Sequence, residues 1–182
     1  MARVPDLEVN DHPELNELVS QICAERRHLY PNGLVRGTHL WQLYSVLLHR
    51  PPIAAGWLQL VSAVRAGSTL SAVDQELVIV LVAIINKSEF EYHSHAPKLL
   101  AAGLTQTQID ALPNWRNSKE FNERQRAILA YADVMTRSVE VPNDVFDGVR
   151  AIFNTEQLVE LTALIAAYNF TTRFTVALQL GK

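Results

Sequence analysis

The sequence contains one cysteine in 182 residues, Cys23. An internal disulfide is therefore excluded, as is any two-thiol redox centre within one chain, while a bond between chains stays open. No apolar run approaches the roughly 18 residues of a membrane span. The opening MARVPDLEVNDHPELNELV places acidic residues and two prolines where a secretory signal needs an apolar core. The expected location is the cytoplasm, with no membrane partner. An excess of positive charge is also missing: the formal charge is -3 and the isoelectric point near 6.1. That balance leaves no electrostatic footprint for nucleic acid. Linkers, low-complexity tracts and charge blocks are absent, and 48% of the residues are hydrophobic. The expectation is one domain over 1–182 with its core in about 36–178.

Glycine and proline, seven and eight in number, fall almost entirely between periodic segments rich in Leu, Ala, Glu, Gln and Arg. That distribution predicts an all-α fold, with helices over about 12–29, 36–48, 51–66, 72–86, 89–102, 105–111, 120–137, 142–152 and 155–178. Ser71 with Asp74, Ser88 with Glu91, and Thr105 with Gln108 each have the three-residue spacing of a capping box. A faint echo links ELVIVLVAIIN from Glu76 with ELTALIAAYN from Glu160.

The most informative stretch runs from Glu76 to Gly103. Nine consecutive apolar residues, Leu77 to Ile85, are flanked by Glu76, Ser88, Glu91, His93 and His95. Groups held beside a buried scaffold sit where carboxylate and imidazole pKa values move. On one straight helix Glu76 and His95 would stand about 28 Å apart, too far to share a proton. Asn86-Lys87-Ser88 supplies a break, with a helix terminator, a cation at the helix end and a fresh cap. A hairpin there brings Glu76 and His95 opposite one another.

Ser88, Glu91 and His95 are spaced by three and four residues and share one helical face. A carboxylate one turn from an imidazole orients the ring and raises its basicity, and the ring shuttles protons near neutral pH. These residues therefore suggest acid–base chemistry, with His95 as acid or base, Glu91 orienting it and Glu76 completing the relay. Ser88, Tyr92 and the distant Arg173 are candidates to bind a small-molecule substrate. Ser88 and Glu91 serve equally as a cap, and Glu76 as a helix-start carboxylate. Arg173 is the lone charge in 161–180, where burial demands an anion, either a protein carboxylate or a substrate carboxylate. Trp41, Tyr44 and Trp57 read as core or subunit interface, and Arg26-Arg27-His28 as a solvated face. Two carboxylates and one histidine are too few ligands for a metal site, so no metal is expected.

At these residues the chain resembles the carboxymuconolactone decarboxylase and alkylhydroperoxidase D family. Its peroxidase branch has a glutamate, eleven residues, Cys-x-x-Cys, three residues and a histidine. Here Glu76, Ser88, Glu91 and His95 occupy those positions, so both cysteines are replaced. The decarboxylase-like branch looks closer, with Glu91, His95, Ala96 and a glycine near Gly103. The segments 49–60, 121–137 and 160–174 also look like family helices. The resemblance implies a helical bundle whose protomers associate into trimers or hexamers, and a cofactor-independent lyase or isomerase acting on a small carboxylated or lactone-like molecule. Thiol peroxidase activity is the second reading, opposed by the missing cysteine pair. A non-catalytic small-molecule-binding or assembly protein is the third.

Overall fold

The computed structural model describes residues 2–26 and 39–181, and every regular element among them is helical. The parts of the expected first two helices at 27–29 and 36–38 lie outside the described residues, as do Arg27 and His28. The chain divides into two compact units, one of residues 1–63 with 178–182 and one of residues 64–177.

The first unit carries two short 3-10 turns, Val9–Asp11 and Pro13–Leu15, then α1 (Asn16–Arg26), α2 (His39–Leu47) and most of α3 (Pro51–Arg65). Trp41, Tyr44 and Trp57 are buried here. Asp6 accepts hydrogen bonds from Trp41 Nε1 at 3.1 Å and from Ser45 Oγ at 2.9 Å. Arg26 corrects the expectation of a solvated face: it is buried, and its Nε lies 3.4 Å from the Tyr44 hydroxyl.

The second unit begins with the last two residues of α3, Val64 and Arg65. It continues with α4 (Ala72–Ile85), α5 (Glu89–Ala102), the short α6 (Gln106–Ala111), a 3-10 turn at Leu112–Asn114, α7 (Glu123–Arg137), α8 (Asn143–Arg150) and α9 (Thr155–Ala177). α4 is the central rod. Leu77 to Val82 are 0–1% exposed, packed by α5, α7 and α9 through Leu99, Ile128, Leu129, Ala132, Leu161, Leu164 and Ile165. An apolar run with no polar face is stable only when surrounded on all sides, and that requirement places α4 in the middle.

The caps set the helix starts. Ser71 and Ser88 each accept from the backbone N–H three residues on, opening α4 and α5. Thr105 with Gln108 forms a full reciprocal box, and so does Asn122 with Gln125. The Asn122 box explains why α7 begins at Glu123 and not at 120. Between α4 and α5, Lys87 takes the left-handed conformation at φ 55°. The Ser88 N–H then bonds the Ala83 carbonyl at 2.9 Å and the Lys87 N–H bonds Ile84 at 3.2 Å. This is the Schellman closure of a helix, made here with lysine where glycine is usual. Ser88 ends one helix and caps the next, so the chain reverses with almost no loop. Among the described residues no helix is long and apolar enough to cross a membrane.

Candidate active site

The reversal at Lys87 lays α5 along α4 and brings together side chains nineteen residues apart. His95 Nδ1 lies 2.7 Å from Glu76 Oε2, with both residues buried. The other oxygen of the same carboxylate, Oε1, accepts from Arg65 Nη2. Across the ring, His95 Nε2 faces Glu91 Oε2 at 3.5 Å, one helical turn away. That gap exceeds a hydrogen bond. The edge of Tyr168 from α9 meets the imidazole with ring centroids 5.3 Å apart and planes at 87°. The result is a dry row of charged and titratable groups, Arg65, Glu76, His95 and Glu91, in that order.

Sequence spacing gives the orienting contact to Glu91; the short contact belongs to Glu76. The cap geometry explains the difference. The Ser88 N–H is already bonded to Ala83, so Glu91 has no reciprocal cap partner and its carboxyl turns inward, 3% exposed.

Burial and pairing set the protonation states. Burial raises Glu76, but the hydrogen bond and charge of His95 and the adjoining Arg65 guanidinium outweigh it and hold the carboxyl down at about 2. Burial pushes His95 down to about 4, against the upward pull of Glu76. At neutral pH the imidazole is thus uncharged, and the standing counter-charge of Glu76 is Arg65. Burial lifts Glu91 to about 7, with the Glu76 charge adding to the rise and Lys98 and Arg65 opposing it. Near neutrality Nδ1–H therefore donates to Glu76, the Nε2 lone pair points at Glu91, and Glu91 holds a proton in a large share of molecules. This tautomer follows from the hydrogen-bonding pattern.

The remaining candidates are placed elsewhere. Ser88 Oγ, besides capping α5, lies 3.0 Å from the Thr175 hydroxyl. Tyr92 lines a separate groove with His93, Ala96, Pro97, Leu100, Gln106 and Ile109, of about 260 Å³. Neither His95 nor Glu91 lines that groove. Arg173 is exposed, and its Nη1 donates to Asn169 Oδ1 at 2.6 Å and to the Asn169 carbonyl at 3.0 Å. It pairs with no carboxylate and stands apart from the row. Cys23, in the first unit, is half-buried.

Two residues of the site were not singled out by motif: Arg65 in the row, and Tyr168, which packs on the imidazole. A usable signal existed for Arg65, the only charged residue in the fifteen-residue segment PPIAAGWLQLVSAVR. Among the described residues no group of three or more His, Cys, Asp and Glu side chains is arranged to hold a metal ion.

Comparison with known proteins gives likenesses of family and of fold. Residues 51–134 match the model of the carboxymuconolactone decarboxylase family, a span containing Arg65, Glu76, Glu91 and His95. The uncharacterized protein YnjA of Escherichia coli K12 is 28% identical over 164 residues, 88% of this chain and 85% of its own. A crystal structure from Agrobacterium tumefaciens, of a protein of unknown function considered a candidate AhpD antioxidant defence protein, is 27% identical. It superposes with a TM-score of 0.68 over 73% of this chain and 92% of its own. An alkylhydroperoxidase AhpD core structure of a peroxidase-related protein from Ralstonia eutropha JMP134 reaches a TM-score of 0.80 over 98% of this chain and 90% of its own, at 18% identity, a likeness of fold.

Proposed function

We propose, from the premise that the chain belongs to the carboxymuconolactone decarboxylase family through residues 51–134, that it is a cofactor-independent acid–base enzyme. Its substrate is a small carboxylated or lactone-like molecule, which it isomerises or decarboxylates. The observation that carries this reading is the placement of His95 between two buried carboxyl groups, Glu76 at 2.7 Å and Glu91 at 3.5 Å.

Each group has a distinct task. Glu76, ionised and tied to Arg65, fixes the imidazole with Nδ1–H inward and stabilises the imidazolium that forms when Nε2 takes a proton. Nε2 is the proton acceptor. Glu91, lifted to about 7 by burial, is the proton donor on the same side of the ring. In isomerisation Nε2 removes a proton next to the substrate carbonyl, the electron pair moves into that carbonyl, and Glu91 returns a proton at another carbon. In decarboxylation the carbon–carbon bond breaks, its electron pair passes into the conjugated carbonyl, carbon dioxide leaves, and Glu91 protonates the carbon. Neither route requires electrons from outside the substrate.

Self-association into trimers or hexamers belongs to the same proposal, as do a cytoplasmic location and a single functional domain. The thiol-peroxidase reading draws on the relatives described as peroxidase-related. It is disfavoured because Ser88 and Glu91 stand at the two cysteine positions and neither undergoes reversible sulfur oxidation.

The test compares carbon dioxide release and ultraviolet absorbance with 4-carboxymuconolactone as the probe. His95→Asn and Glu91→Gln should each lower turnover by about 10²- to 10⁴-fold, the usual contribution of a positioned acid or base. Equal rates for wild type and His95→Asn, or hydroperoxide turnover lost in Cys23→Ser, would overturn the assignment.

A further inference from the structure

We propose that Arg65 is the specificity residue of this site: its buried Nη1, at the Glu76 end of the row, receives a carboxylate that the substrate keeps throughout the reaction. The proposal rests on the acid–base reading above and names the group by which that site selects its substrate.

The first observation is an unsatisfied donor. Among the described residues, Arg65 Nη1 is the buried side-chain polar atom without a hydrogen-bond partner. Its sister nitrogen Nη2 is committed to Glu76 Oε1. A guanidinium presents its N–H groups as a planar fork matched to carboxylate, and a buried N–H without an acceptor is destabilising. A buried N–H with no protein acceptor is free to take an oxygen from water or from a bound anion.

The second observation is charge. Arg65 and Glu76 cancel, and His95 at about 4 is uncharged at neutral pH. Glu91, lifted to about 7, takes up a proton when an anion arrives beside it, because a neighbouring negative charge raises a carboxyl further. Its O–H then becomes a second donor. The site thus gains one positive partial field from Nη1 and one hydroxyl without any buried countercharge being displaced.

The third is access. Of the ion-paired side chains, Arg65 keeps 11% of its surface and His95 8%, against 5% for Glu76 and 4% for Glu91. Arg65 and His95 are thus the less covered members of the row. A carboxylate locked in a charge-assisted pair is stabilised as the anion and resists losing carbon dioxide. The anchored carboxylate is consequently the retained one: a monocarboxylate serves for isomerisation, and a second carboxylate is needed for decarboxylation.

The probes are acetate and its neutral isostere acetamide, titrated into full-length protein and followed by the ring nitrogen and proton shifts of His95 in NMR. Arg65→Lys keeps a cation for Glu76 but removes the second planar nitrogen. The Arg65→Gln/Glu76→Gln pair, which removes both charges together, covers the case where the lysine variant fails to fold. Acetate should bind wild type at least tenfold more tightly than acetamide, and either Arg65 change should erase that preference while His95→Asn keeps it, read there by thermal shift. Equal binding of the two probes, binding of neither, or an unchanged preference in Arg65→Lys overturns the proposal. Lost turnover in His95→Asn alongside an unchanged acetate preference in Arg65→Lys sinks only the role of Arg65. The reverse pattern sinks only the acid–base chemistry.

Discussion

Glu91→Gln should convert a protein whose stability is nearly level between pH 4.5 and 6.5 into one whose stability climbs across that interval. In the native state burial lifts Glu91 from 4.5 to about 7, so the folded chain holds a proton that the unfolded chain releases, and stability falls as pH rises through the window. Burial depresses His95 from 6.5 to about 4, so the unfolded chain holds a proton that the folded chain lacks, and stability rises over nearly the same window. Each slope is about 1.4 kcal/mol per pH unit, and the two oppose. Glu76, held at about 2, contributes its rise below 4.5, outside the interval. Glutamine keeps the shape of Glu91 and removes its titration, which leaves the His95 slope alone. Urea denaturation of the variant at half-unit steps should show a gain of about 2 kcal/mol from pH 4.5 to 6.5, the slope flattening at both ends of the interval. A flat profile in Glu91→Gln would mean that His95 titrates as it does in water, and the buried neutral imidazole would be refuted.

Glu76→Gln leaves the Arg65 guanidinium buried without an anion and removes the acceptor for His95 Nδ1; a loss of about 3–5 kcal/mol in urea denaturation is expected. Lys87→Gly relieves a side chain in the left-handed region at φ 55°, and a gain in thermal stability of up to about 1 kcal/mol should follow with the His95 resonances unmoved. A loss would show that the lysine side chain stabilises the reversal by more than its backbone strains it.

The helices were legible because their starts are chemical. Ser71, Ser88 and Thr105 hold a hydroxyl three residues before a polar side chain, and each caps a helix as read. The meeting of Glu76 with His95 was legible because both arms of the hairpin have similar length. Which carboxylate takes the short contact was not, since that depends on the Ser88 N–H turning back to Ala83, a detail of the closure and not of spacing. The arginine argument was sound in form and applies equally to Arg65, which it passed over. A lone cation in an apolar helix does seek a carboxylate, but α9 turns Arg173 to solvent, whereas α3 ends with Arg65 beside Glu76. Being the only charge in PPIAAGWLQLVSAVR marks Arg65 as in need of an anion, but which carboxylate it meets is set by packing between distant helices.

The tight reversal at Lys87 also acts as a ruler. With no slack between the two rods, the nineteen positions from Glu76 to His95 are a fixed count. One inserted residue on either arm rotates everything beyond it by about 100° and would swing the imidazole off its seam. An added or deleted residue along this stretch dismantles the pairing, so length polymorphism should be confined to the loops that precede Ser71 and follow Gly103.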